Sequence, residues 1–148
     1  MATEQAAPEA GVRAASDRFY EALEQMANGD ASAMPDVWSH ADDVTTMHPI
    51  GGREVGWEEV REPWTAVADL ASDGNITRTD QLLRVFGDLA YELATEHVSM
   101  RVADTPIEGE YRATNVYRLE DGEWKMVHHH SDLSEPFVEA LAGLDAGA

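Results

Sequence analysis

The sequence contains no cysteine and few basic residues, and each shortage excludes a class of function. Without cysteine the chain has no disulfide framework, no zinc–thiolate site and no thiol nucleophile. It carries 10 lysine and arginine residues against 29 aspartate and glutamate residues, and its formal net charge is −19. Binding to nucleic acid or to an anionic membrane needs a basic surface, so we expect neither partner. No run of about 18 apolar residues occurs, so we expect no membrane-spanning helix.

The length of 148 residues indicates one domain. We expect a disordered leader over residues 1–11, a single domain over residues 12–142 and a tail over residues 143–148. The first residues lack the basic and apolar regions of a secretory signal, which favours a cytoplasmic location. The acidic composition fits adaptation to high salt, where screening weakens self-repulsion, as well as it fits an ordinary acidic protein.

Helical patterns fill the first half of the chain and strand patterns fill the second. Apolar residues at helical spacing run from Val12 to Met26. Further elements are predicted as a short helix toward Trp38, a strand over 44–47, a helix over 57–70, strands over 76–86, 89–102, 107–119 and 124–131, and a helix over 134–141. Helices followed by an antiparallel meander predict an α+β fold with the helices on one face of the sheet.

Two segments, residues 40–52 and 114–131, carry a resemblance to known families. The first resembles the first-strand region of ketosteroid isomerases, and the second is similar to the association domain of calcium/calmodulin-dependent kinases and to SnoaL-like proteins. With the order of elements, this resemblance implies a nuclear transport factor 2-like cone, in which N-terminal helices pack on a curved antiparallel sheet around one apolar pocket. The fold hosts several enzyme classes and plain binding modules, so it does not fix the activity.

The isomerase resemblance implies two catalytic positions. His48, immediately before Pro49, occupies the place of the general base, and Asn115 occupies the place of the carboxyl group that binds the oxyanion. The tyrosine that isomerases carry on the first helix would fall near Ala22 and is therefore expected to be missing. We expect His48 and Asn115 to meet in the pocket as an acid/base group and a hydrogen-bond donor.

The run His128-His129-His130-Ser131 follows a turn whose length decides which side chains face inward. A two-residue turn would place His128 and His130 on the face of Asn115, whereas a three-residue loop would place His129 and Ser131 there. The kinase association domains have the longer loop. By that resemblance we expect His129 and Ser131 in the pocket, with catalytic roles.

Strand alternation then assigns the outer face of the last strand. It would carry Trp124, Met126, His128 and His130, a stripe too apolar for open solvent, which predicts a homodimer through this face. Because adjacent strand residues point in opposite directions, at most two of the three consecutive histidines can converge, and we expect no metal site.

Four further residues are expected to bind substrate. His97 aligns with a pocket arginine of the kinase association domains, which implies that it faces inward. Trp38 and Trp64 are large aromatic residues that either clamp a ligand or fill the core. The His128–Ser131 run also resembles the terminal motif of iota-class carbonic anhydrases, with Asp132 in place of a second serine, and that resemblance makes Tyr117 a polar group beside carbon dioxide.

These residues point to a small-molecule enzyme that needs no cofactor. The leading hypothesis is acid/base chemistry of the isomerase, cyclase or hydrolase type on a mostly apolar carbonyl, epoxide or hydroxy compound, because the acidic charge disfavours anions. Two alternatives stay open: an iota-type carbonic anhydrase, and a non-catalytic ligand-binding or assembly module.

Overall fold

A computed structural model describes the backbone of residues 2–147 and the side chains of residues 8–142. The elements are α1 (Ala2–Met26), α2 (Met34–Val37), β1 (Thr45–Met47), β2 (Glu54–Val55), α3 (Trp57–Ala68), β3 (Ala71–Phe86), β4 (Leu89–Val102), β5 (Thr105–Glu120), β6 (Glu123–Ser131) and α4 (Glu135–Gly147). Residues 2–11, predicted as a disordered leader, are helical, in line with the high helix propensity of their alanines. Helix α4 continues to Gly147 through most of the predicted tail. Met1, Ala148 and the side chains of residues 143–147 lie outside the description.

The sheet has six strands in the order β2-β1-β6-β5-β4-β3. Strands β3 to β6 form the predicted antiparallel meander. Strand β1 runs parallel to β6 and pairs Thr45 with His128, so the sheet is mixed. Residues 48–122, which include β2, α3 and strands β3 to β5, form the long connection that two parallel neighbouring strands require.

Two bulges bend β3. Its pairing with β4 shifts between Ser72 and Asn75 and again between Thr79 and Leu82. Within these shifts Asp73 and Asp80 adopt positive φ angles of 53° and 56°. Bulges bend a strand and increase its twist, so they curve the long strands around the helices and leave an enclosed space beneath the sheet.

The hairpin between β5 and β6 has a two-residue turn, against the prediction of a three-residue loop. Leu119 pairs with Trp124 across Asp121 and Gly122, whose φ angles of 51° and 81° suit this turn. A bulge at Val127 then shifts the register by one residue. His129 pairs with Asn115 and Ser131 pairs with Ala113, so both face inward as predicted, although a bulge produces this register in place of the longer loop.

The same bulge overturns the predicted outer stripe. Trp124 and Met126 precede it and belong to the core, with 7% and 0% of their surface exposed. A methyl group added at Gly11 of α1 would lie 2.8 Å from Trp124, which shows how closely the helix covers this strand. Of the four residues predicted on the outer face, only His128 and His130 lie there. The homodimer stays a prediction, but the side chains of Trp124 and Met126 no longer support it.

The core lies between the helices and the concave face of the sheet. Its largest fully buried apolar side chains come from α1, α2, β5, β6 and the segment after α2: Phe19, Met34, Trp38, Ile107, Tyr117 and Met126. Among the described residues, no helix combines the length and apolar character that crossing a membrane requires.

Candidate functional site

A pocket opens between the helices and the concave face of the sheet. The volume of the pocket is about 590 Å³ when the solvent space at its mouth is included. Within it, the centre of a water-sized molecule can occupy about 60 Å³. Most of the lining is apolar, from Leu23, Met26, Pro49, Ile50, Pro63, Trp64, Val67, Ile76, Val98, Met100 and Phe137. The polar lining groups are His48, Glu96, Tyr111, His129 and Ser131. Such a cavity suits a small, mostly apolar molecule with a few polar atoms.

Glu96 of β4 is the acidic group of this pocket. Its side chain is held at both oxygens, because Tyr20 donates a hydrogen bond to Oε2 at 2.8 Å and Ser131 donates one to Oε1 at 3.2 Å. Only 3% of the residue is exposed. Burial raises the pKa of Glu96 from 4.5 to about 7, although the two hydrogen bonds oppose the rise. The carboxyl group can therefore gain or lose a proton near neutrality.

Two imidazoles line the same pocket as Glu96, and burial keeps both neutral at pH 7. Burial lowers the pKa of His48 to about 4 and lowers that of His129 well below its ordinary value, with the neighbouring His48 as a further cause. Their ring centres are 6.1 Å apart, and the rings of His48 and Trp64 are perpendicular with their centres 4.7 Å apart.

The buried Nε2 atom of His48 has no hydrogen-bond partner among the described residues. Glu54 Oε1 lies 3.7 Å away, beyond hydrogen-bond distance, and that oxygen already accepts a hydrogen bond from Thr46 at 2.6 Å. Glu54 therefore does not hold a proton on His48. A ligand atom in the pocket could supply the partner that this nitrogen lacks.

Behind the pocket a second glutamate, Glu92, is fully buried. Its oxygens accept hydrogen bonds from Ser16 at 2.6 Å, Gln81 at 2.6 Å, Tyr117 at 2.8 Å and Asn115 at 3.0 Å, and Arg78 Nε lies 3.8 Å away. A buried carboxylate with this many donors and a nearby guanidinium is satisfied within the protein. Glu92 therefore anchors the network and leaves no atom open to a ligand.

The structure brings four of the eight predicted site residues together. His48, His129, Ser131 and Trp64 line the pocket. Asn115 is completely buried behind His129 and does not line the pocket, so it does not meet His48 there.

Three other predicted residues lie elsewhere. Tyr117 bonds Glu92 in the rear network, and Trp38 packs in the core with its ring centre 6.2 Å from that of Trp64. His97 lies on the outer face of the sheet, against the expectation that it faces inward. Successive strand residues alternate, and its neighbour Glu96 points into the pocket. On the outer face His97 contacts Thr79 at 2.8 Å and Glu110 at 3.2 Å.

Sequence reasoning missed Glu96, Glu92 and Tyr20. The two glutamates alternate with apolar residues along β4, but both faces of that strand carry apolar side chains, so alternation does not show which face is buried. Tyr20 lies two positions before Ala22, where the expected tyrosine was judged missing. Its hydroxyl joins the site by donating to Glu96 and accepting from Asn115 at 3.0 Å. Ser16 and Tyr20 lie four residues apart on one buried face of α1, but the burial of Ser16 is visible only in the structure, so no sequence signal singled out Tyr20.

Among the described side chains, no three histidine, aspartate or glutamate residues converge in a way that could hold a metal ion. His128 and His130 lie on the outer face with their ring centres 6.3 Å apart, and Thr45 contacts His128 Nδ1 at 2.7 Å. His129 points the other way, as strand alternation predicts. The three histidines are thus divided between the two faces of the sheet.

Solved structures of other proteins are similar to this chain in both sequence and fold. A nuclear transport factor 2-like protein from Streptomyces avermitilis, described as a proposed dehydratase, is 26% identical with a TM-score of 0.74, over 84% of this chain and 94% of that chain. A proposed kinase II association domain from Thiobacillus denitrificans is also 26% identical with a TM-score of 0.65, over 83% of this chain and 94% of that chain.

A plant protein also matches by sequence. The F-box protein SKIP8 from Arabidopsis thaliana is 28% identical over 101 residues, which are 68% of this chain and 41% of that protein. The present chain thus spans less than half the length of this relative. The profile of the SnoaL-like domain matches residues 12–134, most of the chain. The chain therefore belongs to the SnoaL-like family and has the nuclear transport factor 2-like fold.

Proposed function

We propose that this protein is a cofactor-free enzyme that moves a proton on a small, uncharged and mostly apolar substrate. The observation that carries the proposal is Glu96, a buried carboxyl group in the wall of an apolar pocket, with a pKa of about 7. A proton-transfer group works best when its pKa lies near the working pH. Glu96 has this property, whereas the pKa of about 4 makes His48 a weak base.

The chemistry that fits these groups is proton abstraction next to a carbonyl. The carboxylate of Glu96 would take a proton from carbon, so that the C–H bond breaks, an O–H bond forms on Glu96 and the electron pair moves to the carbonyl oxygen. In a conjugated enolate, return of this proton from Glu96 to the far carbon completes an isomerisation. In a β-hydroxy carbonyl compound, the enolate electrons form the C=C bond as the C–O bond breaks, and the departing hydroxyl group takes the proton from Glu96 and leaves as water, which completes a dehydration. Tyr20 and Ser131 would orient the carboxylate through their hydrogen bonds.

The lining of the pocket supports an uncharged substrate. None of the lining residues is a lysine or arginine, and Glu96 would repel an anion whenever it is ionised. The unpartnered Nε2 of His48 offers a contact to a carbonyl or hydroxyl group. The similarity to the Streptomyces avermitilis protein, described as a proposed dehydratase, agrees with this reaction class.

The geometry favours this function over the two alternatives. A carbonic anhydrase of the expected kind would need Tyr117 beside Ser131 in the pocket, but the Tyr117 hydroxyl bonds Glu92 behind it. A plain binding module would have no use for a carboxyl group whose pKa lies near neutrality in an apolar wall. Both alternatives predict distinct outcomes in the following experiment.

The test is exchange of carbon-bound protons in D₂O. We would incubate the protein with a panel of small neutral ketones and hydroxyketones and follow deuterium incorporation by mass spectrometry. Glu96→Gln keeps the shape of the side chain and should reduce exchange by roughly 10²-fold or more, the scale of general acid–base catalysis. The matched control, Glu21→Gln on the exposed face of α1, should exchange at the wild-type rate.

Other results would contradict the proposal. Equal exchange by wild type and Glu96→Gln would remove Glu96 from the reaction. Saturable binding of panel compounds with no exchange would indicate a binding module. Carbon dioxide hydration that survives Glu96→Gln would indicate the anhydrase.

We also propose that the chain forms a homodimer, now through a different part of the outer sheet face than the sequence suggests. Leu82, Phe86, Leu89 and Leu93 of β3 and β4 are exposed there, and the rings of Phe86 and Tyr91 stack at 6.0 Å. Exposed apolar patches of this kind mark interaction surfaces. Phe86→Lys should give a monomer in light scattering, whereas Leu133→Lys, at an exposed site beyond β6, should not. A dimer that tolerates Phe86→Lys would contradict this surface.

A further inference from the structure

The side-chain amide of Asn115 is hydrogen-bonded at both ends inside the protein. Its Nδ2 atom donates to Glu92 Oε1 and to the hydroxyl of Tyr20, both at 3.0 Å. Its Oδ1 atom lies 2.6 Å from Nδ1 of His129. Asn115 is fully buried, so these three contacts account for its polar atoms without solvent.

Its neighbours fix which way this amide points. Glu92 already accepts hydrogen bonds from Ser16, Gln81 and Tyr117, and a carboxylate has no proton to donate. Tyr20 uses its proton on Glu96, so toward Asn115 it can only accept. Both neighbours thus require the amide nitrogen, and the amide oxygen is left to face His129.

The orientation of the amide determines the tautomer of His129. An amide oxygen can only accept, so Nδ1 of His129 must carry the proton. Burial keeps this imidazole neutral, and a neutral imidazole has a single N–H, so Nε2 holds a lone pair. Nε2 makes no hydrogen bond to the described residues, and it lies on the ring edge away from Asn115 in a residue that lines the pocket.

We propose that Asn115 is a positioning residue: held by Glu92 and Tyr20, it keeps the proton of His129 on Nδ1 and presents the Nε2 lone pair to the pocket. This role replaces the expected one of a donor to substrate, which the burial of Asn115 behind His129 precludes. The inference rests on the proposed function only in treating the pocket as the reaction site. The consequence is that the pocket offers a hydrogen-bond acceptor at His129, which favours a substrate with a hydroxyl group there.

The tautomer of His129 can be read directly by long-range ¹H–¹⁵N NMR at pH 7, with the ring assigned by loss of its signals in His129→Gln. The expected wild-type spectrum has a protonated Nδ1 and an unprotonated Nε2 in His129. A wild-type spectrum with the proton on Nε2 would overturn the proposal. The measurement needs no substrate, so it succeeds or fails independently of whether the enzyme turns over the ketone panel.

Two variants of the same position separate a positioning role from simple packing. Asn115→Asp keeps an oxygen acceptor for Nδ1. Its second oxygen faces two acceptors, Glu92 and Tyr20, so the new carboxyl group should carry a proton on that oxygen and keep the wild-type tautomer of His129. Asn115→Leu has similar volume but no acceptor and should populate both tautomers. Thr114→Val, on the outer face of the same strand, is the control and should leave the His129 signals unchanged.

A wild-type tautomer in Asn115→Leu would overturn the proposal, as would a neutral His129 ring with its single proton on Nε2 in Asn115→Asp. If the leucine variant fails to fold, the spectra of wild type and Asn115→Asp still decide the question.

Discussion

Glu92 and Glu96 lie four residues apart on the same face of β4, and both are buried, yet their surroundings differ. Glu92 receives four hydrogen bonds, lies near Arg78 and is fully buried. Glu96 receives two hydroxyl donors and borders the cavity. The first region satisfies a charge, and the second leaves a carboxyl group close to its neutral form. The difference shows how one strand can provide both an anchor and a proton-transfer group.

The largest expected effect is the difference in stability between a variant that lacks Glu92 and a variant that lacks Glu96. Glu92→Leu leaves the buried donors Ser16, Gln81, Tyr117 and Asn115 without their acceptor and removes the carboxyl group near Arg78 Nε, and it should lower the free energy of unfolding by about 3–5 kcal/mol. Glu96→Leu removes a group that burial already disfavours and should cost much less at pH 7. Denaturant unfolding of both variants measures the contrast, and equal losses would mean that the two regions are energetically alike.

The next effect is the pH dependence that Glu96 contributes to the free energy of unfolding. Its pKa is about 7 in the folded protein against an ordinary value of 4.5, so between these values the folded state binds more protons than the unfolded state. Its contribution to stability is therefore present below about pH 4.5 and is lost as the pH rises through 7, a total of about 3 kcal/mol. The measurement is the free energy of unfolding at pH 5 and pH 8, for wild type and for Glu96→Gln.

Subtracting the free energy of unfolding of Glu96→Gln from that of wild type removes the contributions of other titrating groups, including His48. His48 acts in the opposite direction, because its lowered pKa removes stability as the pH falls from 6.5 through about 4. Glu96→Gln should gain stability relative to wild type between pH 5 and pH 8. A difference that does not change with pH would mean that the pKa of Glu96 is ordinary.

The smallest expected effect concerns the hydroxyl group that connects the two regions. Tyr20→Phe removes one hydrogen bond to Glu96 and one from Asn115, and should lower the free energy of unfolding by about 1 kcal/mol. Because that hydrogen bond lowers the pKa of Glu96, its loss should raise the pKa further. Tyr91→Phe on the outer face is the control. If both variants behave alike, Tyr20 does not connect the two regions.

The fold, and part of the site, could be predicted from the sequence. Element order and two motifs predicted the nuclear transport factor 2-like fold, and His48, His129 and Ser131 do line one pocket. The inward direction of His129 was predicted correctly from a wrong turn length, because a bulge at Val127 restored the register. The position of a bulge depends on how the whole strand packs, and no residue near Val127 predicted it from the sequence.

The groups that the sequence did not predict are those whose properties arise from burial. Nothing in the composition of β4 distinguishes Glu92 or Glu96 from the many glutamates on the surface. The raised pKa of Glu96 follows from its removal from water by helices and strands that are distant in sequence. The placement of His97 failed for a related reason, since an aligned position in another family does not fix which face of a strand is buried.

The most direct test of the central claim is the titration of Glu96 itself. ¹³C NMR of the side-chain carboxyl groups follows each titration across pH, and loss of one signal in Glu96→Gln identifies the relevant resonance. The account predicts a midpoint of about 7 for Glu96. A midpoint near the ordinary value of 4.5 would contradict it, because Glu96 would then be a permanent anion at neutral pH rather than a poised proton-transfer group.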